Sequence, residues 1–295
     1  MTELIAALPM YDWPEVRAET DALWVRIRTA LRGAGIDAPE TLTRDQPELH
    51  ALWRMPNLLF AQACWGPMGQ GLAEHVQVIG QPDYSDVEGG DGALYRSVVL
   101  MRHVDGASRS VAPPSGLPPI SPTCGEIGQS QRLTRVISRP VGGPKDGPRP
   151  VARARASGRT EGGNVERNAA SRLFAALCGD LRKARFAYNS TDSMSGYLAL
   201  EQDLGSLDIF SGRVETGGHR ASMIAVAEGR ADVCAIDCRS WALAKRHEPA
   251  AATLVAVAWT TPRKGLPYIT SLRTPPQELG RMRQAIADAG ILVGA

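Results

Sequence analysis

The chain has 295 residues, a formal charge of +2 and 5% aromatic residues. That length is enough for two lobes with separate cores. The near-neutral balance and scarce aromatics exclude a basic, aromatic-interleaved face for nucleic acid, and no stretch approaches the roughly 20 apolar residues of a membrane span.

Leu4–Met10 reads as a buried strand ending near Pro9. It does not read as a signal peptide, so the expectation is a protein that stays in the cytoplasm or takes its export segment from outside this frame. Asp12 and Glu15 make a capping-box pattern, with Pro14 suited to a first helical turn. Val16, Leu23, Ile27 and Leu31 recur at helical spacing until Gly33 and Gly35 stop the helix. A second helix is predicted over 47–54, then an apolar strand over Leu58–Cys64 and two further strands, Val76–Gly80 and Tyr95–Met101. Strands alternating with helices in this way predict an α/β domain with a mostly parallel sheet.

The pattern stops at about Asp105. Residues 105–170 hold no aromatic and no periodicity, and Pro, Gly, Ser and Arg dominate. So little apolar content does not offset the entropy of ordering, and 104–170 reads as a disordered insertion whose Arg cluster is a solvated linker. Order resumes with a predicted short helix, Ser171–Leu181. Helices are also expected over Trp241–Arg246 and Pro275–Ala289, and strands over Val233–Ile236 and Leu254–Trp259.

The stretch that organises the rest is Tyr188–Leu200, a strand opening into the polar turn Asn-Ser-Thr-Asp-Ser-Met-Ser-Gly. Tyr197, Leu200 and Leu204 then recur at helical spacing, so a helix should begin near Ser195 or Gly196. Ser193 and Ser195 fall at its cap and first turn, where free N–H groups and the positive helix end favour an oxyanion. Gly196 offers backbone without a Cβ in the way. Glu215–Ser222 repeats the arrangement, with His219 at a helix start, and Asp237 stands at the tip of the following strand. His219 reads equally as a ring holding one hydrogen bond or as a ligand contact, and Asp237 as a helix cap or a ligand contact. Cys64 and Trp65 read as cleft lining or lobe packing, and Tyr95 and Ser97 as residues that hold a hinge.

The five cysteines, Cys64, Cys124, Cys178, Cys234 and Cys238, form no metal-ligand spacing, and their odd number speaks against a disulfide framework. No G-x-S-x-G elbow is present, and none of Lys145, Lys183, Lys245 and Lys264 falls in a cleft motif where a Schiff base could form. No cofactor is expected.

In this order the motifs resemble the phosphate/phosphonate-type substrate-binding proteins of ABC importers, related to the alkanesulfonate-binding proteins and the transferrins. The matching pieces are Ala7–Tyr11, Ser193–Tyr197, Thr216–Ser222 and Arg230–Asp237. The resemblance implies a two-lobed type 2 periplasmic-binding-protein fold: lobe one over 1–103 and 261–295, the insertion over 104–170, and lobe two over 171–260. It implies a non-enzymatic, periplasmic protein that binds a small oxyanion and meets an ABC permease. A same-fold enzyme or a cytoplasmic sensor is the alternative. Carried over residue by residue, it implies ligand contacts from Tyr11, Ser193, the Met194 N–H, Ser195, Gly196, Tyr197, His219 and Asp237, with Asp237 facing a cationic end of the ligand. The long insertion, the signal peptide not found here, and Met194 in place of a second hydroxyl are departures from the family pattern.

Overall fold

The computed structural model describes residues 3–45, 48–103 and 181–293. The expected insertion and nearly all of the helix predicted at Ser171–Leu181 lie outside the described residues.

Strand β1 (Ile5–Ala7) leads through a single 3-10 turn, Pro14–Val16, into α1 (Arg17–Gly33). Then follow α2 (Leu49–Trp53), β2 (Leu58–Gln62), α3 (Trp65–Gly69) and β3 (Val76–Gly80). The chain crosses through β4 (Gly90–Asp91) and β5 (Leu94–Tyr95) to β6 (Ser97–Arg102). The second lobe continues with β7 (Arg185–Tyr188), α4 (Ala199–Leu204), β8 (Gly212–Glu215), α5 (His219–Ala227) and β9 (Val233–Asp237). After α6 (Cys238–His247) and β10 (Leu254–Trp259) the chain returns through β11 (Arg263–Lys264), β12 (Tyr268–Ser271) and α7 (Pro276–Asp288).

The strands form one sheet per lobe and a small one between them. The first sheet runs β1-β2-β12-β3, the second β10-β6-β9-β7-β8, and the crossing sheet β11-β5-β4. β2 and β9 are buried at every residue, which is why both read as continuous apolar runs. Lobe one packs Trp24, Ile27 and Leu31 of α1 and Met282 and Ile286 of α7 against Phe60. Lobe two has one apolar cluster containing Ile236, Met223 and Trp241, and another containing Phe186, Tyr197 and Phe210.

Three expectations change. The first sheet is mixed, because β12 arrives from the far end of the chain and pairs antiparallel with both β2 and β3. The strand expected over Tyr95–Met101 is two: β5 belongs to the crossing sheet, whereas β6 pairs with β9 and β10. Residues 97–102 therefore sit with lobe two rather than closing lobe one at 103. The capping box at Asp12 and Glu15 does not form, since the first turn is capped by no side chain. Asp12 instead takes a two-point contact from Arg44 at 2.6 and 3.1 Å, and Glu15 is drawn to Arg220.

The two crossings are tied together where they meet. Thr260 donates its backbone N–H to the Ser97 carbonyl at 2.8 Å, and the Ser97 N–H donates to the Thr260 hydroxyl at 2.8 Å. On one side of the hinge the lobes are in contact. A Cβ on Gly66 of α3 would lie 1.7 Å from the Asp192 carbonyl oxygen, so only glycine allows that approach.

Candidate functional site

Ser193 caps the turn it opens. Its Oγ accepts the Gly196 N–H at 3.0 Å, and its carbonyl accepts the Leu198 N–H at 3.0 Å across a wide i→i+5 turn, Met194–Leu198. The regular helix α4 starts only at Ala199, slightly later than the spacing predicts. Wide turns of this kind are rare and occur often at functional sites. Gly196 is held here by packing: an added Cβ would meet the Asn189 Oδ1 at 1.9 Å.

Three motifs that are distant in sequence converge on this turn. The Ser195 Oγ lies 2.9 Å from the His219 Nε2, and the Asp237 Oδ2 lies 3.3 Å from the same nitrogen. Asp237 also caps α6: Oδ1 accepts the Ser240 N–H at 2.9 Å and Oδ2 accepts the Ser240 hydroxyl at 2.6 Å. Of the two readings of Asp237 the cap is observed, and the same carboxylate also meets His219. Ser193, Ser195 and Asp237 are 5%, 3% and 2% exposed, and the His219 side chain keeps 14% of its surface in contact with solvent. The Met194 N–H points across the cleft to the Cys64 Sγ of lobe one at 3.4 Å.

The electrostatics follow from this burial. Burial lowers the His219 pKa below its ordinary value, with Asp237 opposing, so the ring is neutral. A carboxylate facing a ring nitrogen calls for an N–H there, which puts the proton on Nε2 and leaves Nδ1 as the free position. The His219 Nδ1 is buried with no hydrogen-bond partner, and the same is true of the Tyr95 hydroxyl and the Asn189 Oδ1. Tyr95 lies beside Ser195 without a hydrogen bond of ordinary geometry, and burial raises its pKa well above normal, with Cys64 and Asp237 adding to the rise. Its hydroxyl therefore remains a neutral donor.

The other expected residues divide. Tyr11 faces the cluster from lobe one: its hydroxyl is 3.3 Å from that of Tyr84, and burial and Asp237 raise its pKa. Tyr197 is not brought to the cluster. Its ring packs edge-on to Tyr188 and against Phe186, and its hydroxyl accepts from Arg213 at 3.2 Å on the other side of the turn. Aromatic surface next to a Phe-rich core is better buried there than beside the polar groups. Trp65 donates to the Gly265 carbonyl at 2.6 Å, a contact within lobe one. Tyr95, Tyr84 and Asn189 lie beside the cluster, and the sequence reading gave none of them as a ligand contact. Asn189 sits in the very turn singled out, but nothing in its position along the chain shows that its amide faces Gly196.

A cavity of about 620 Å³ lies elsewhere between the lobes. It runs between α1 and α6, with Glu19, Arg239 and Arg246 among its walls, and reaches the cluster's neighbourhood at Tyr11 and Arg239. Among the described residues no group of His, Cys, Asp and Glu is placed to hold a metal ion, and no helix is long and apolar enough to cross a membrane.

A family model described as "ABC transporter, phosphonate, periplasmic substrate-binding protein" matches residues 149–291. The chain resembles the phosphonate-type binding proteins of ABC transporters. Its fold is the two-lobed type 2 periplasmic-binding-protein fold. Among solved structures it is similar to PhnD1 from Prochlorococcus marinus in complex with methylphosphonate, at 13% identity and a TM-score of 0.55, covering 96% of this chain and 83% of that one. It is similar also to the binding component of an ABC phosphonate transporter from Pseudomonas aeruginosa, at 11% identity and 0.54, covering 99% and 81%. A third is XAC2383 from Xanthomonas citri bound to chloride ion, at 13% and 0.54, covering 97% and 83%. No curated protein matches the sequence.

Proposed function

We propose that the chain captures a small tetrahedral oxyanion, a phosphonate or phosphate, between its lobes as the solute-binding component of an ABC-type importer, working outside the cytoplasmic membrane with a cognate permease. The observation that carries this reading is the presence of two unpartnered buried polar atoms beside one polar turn, Tyr95 Oη and Asn189 Oδ1, with a third, His219 Nδ1, on the far side of the ring whose Nε2 meets Ser195. Buried polar groups are ordinarily satisfied, so orphans beside one turn suit a missing partner. Tyr95 and Ser195 can donate as they stand. His219 can donate from Nδ1 once an anion draws a second proton onto the ring, and an Asn amide can present either end. Asp237 repels a bare oxyanion but favours one that also carries an amine.

The geometry favours binding over catalysis. Ser195 and Asp237 both approach the same nitrogen of His219, whereas a catalytic triad needs the carboxylate on the opposite nitrogen to orient the ring. Among the described residues the lysines Lys183, Lys245 and Lys264 are all exposed, so none of them can serve as a buried Schiff-base amine.

A thermal-shift series with methylphosphonate, phosphate and sulfate tests the reading. Saturable stabilisation of about 2.7 kcal/mol at a hundredfold excess over Kd is expected for the best ligand, with the ligand recovered unchanged. No shift with any of the three, or release of a product, contradicts it.

A further inference from the structure

Arg220 stands directly after His219 in the first turn of α5, a turn with no acidic residue. A cation there opposes the helix dipole, so the helix itself gives no reason for it. Its partners supply the reason. Nε donates to the Glu248 Oε2 at 2.6 Å within lobe two. The two terminal nitrogens donate to the Glu15 carboxylate of lobe one at 3.1 and 2.9 Å, in a two-point contact. The guanidinium also lies 4.8 Å from the centre of the Trp13 ring, and Trp13 packs against the lobe-two core. One side chain therefore holds its own lobe with one edge and the opposite lobe with the other edge and its face. A planar fork can do this, and a point charge cannot.

We propose that Arg220 is the latch of lobe closure: a positioning residue that fixes the closed arrangement through Glu15 and Trp13 and so holds His219 in place against the turn at Ser195. The contact with Glu248 pre-orients the guanidinium whether the lobes are open or closed, and the contact with Glu15 forms only on closure. Glu15 and Arg220 keep 35% and 31% of their side chains exposed, so salt weakens the latch. Closure contacts resist ligand escape more than they speed arrival, so their loss acts on the dissociation rate.

The test has two arms. In the free protein, hydrogen exchange is followed at 64–69 and 193–198, segments that face each other across the lobes. Glu15→Gln should raise exchange at both about threefold, with the remaining segments unchanged, and 0.5 M sodium chloride should do the same to the parent but add little to the variant. Arg220→Lys, whose single ammonium cannot span both carboxylates, should give the same local rise. Unchanged exchange in both variants, or a rise spread equally over every segment, overturns the latch. The second arm rests on the proposed oxyanion site and uses methylphosphonate: Glu15→Gln should release it about threefold faster with the association rate held within twofold. An effect on association alone overturns the latch. If methylphosphonate does not bind the parent at all, the site reading fails while the exchange arm still decides the latch.

Discussion

Two polar regions lie between the lobes, and they differ in a way that volume does not reveal. The large cavity has charged walls whose members are already matched: Arg246 with Glu19 at 2.9 Å, Arg239 with Asp86 at 2.6 Å, and Arg26 with the Ala289 carbonyl at 3.2 Å. The cluster around Ser195 is buried, with Ser195 and Asp237 3% and 2% exposed, and leaves the His219 Nδ1 and Tyr95 hydroxyl without partners. Matched charges facing an open cavity give a ligand little that water does not already give. Unmatched buried groups carry a standing cost that a ligand removes on binding, which is why we propose the turn rather than the cavity as the binding site.

The sharpest way to break this comparison is at Gly196. Replacing it with Val drives a side chain into Asn189, since even a Cβ would sit 1.9 Å from its Oδ1. The expected result is loss of measurable methylphosphonate binding together with about 1–3 kcal/mol of stability, read by calorimetry and by urea unfolding. The cause is overpacking inside the turn, a different reason from the open approach to ligand that the sequence suggests.

Smaller effects sharpen it. His219→Ala removes one charged-ligand hydrogen bond, worth about 1.5–3 kcal/mol, and should weaken methylphosphonate roughly ten- to a hundredfold. Because His219 is held neutral when free and an anion at Nδ1 favours a second proton, binding should take up a proton near neutral pH. Affinity should then fall more steeply as pH rises from 6 to 9 in the parent than in His219→Ala, where only the second ionisation of methylphosphonate itself remains. Stability runs the other way. The folded pKa lies below the unfolded value of about 6.5, so the unfolded chain binds the proton first and this residue's contribution is lost as pH falls through that window. Asp237→Asn should leave methylphosphonate binding unweakened, and should weaken an aminoalkylphosphonate by about tenfold. Arg246→Ala, in the large cavity, should change methylphosphonate affinity by less than about twofold, because its pair with Glu19 is more than half exposed on each side.

How much of this was legible in the sequence depends on how local each feature is. Val76–Gly80 and Leu254–Trp259 were readable to the residue, because each is a mostly apolar, Val-rich run of five or six residues, too short for a helix of ordinary length. The Ser193 cap and the cap at Asp237 were readable because capping is set within a few residues. What was not readable depends on partners far along the chain. Glu15 left its capping role for Arg220, 205 positions away, and β12 turned the first sheet mixed from the other end of the sequence. Tyr197 has the same local signature as a cleft aromatic, but its ring lies beside Phe186, a residue of a separate strand. The grouping of Tyr95 and Asn189 with the motif is a fact of the assembled lobes, and no spacing encodes it.

The central claim, that the turn and not the cavity takes the ligand, is tested most directly by calorimetric titration of methylphosphonate into Ser195→Ala beside Arg246→Ala. The account predicts a roughly ten- to hundredfold loss in the first and a change under about twofold in the second, both proteins unfolding at the parent's urea midpoint within error. Parent-like affinity in Ser195→Ala with a loss in Arg246→Ala would place the ligand in the large cavity and contradict it.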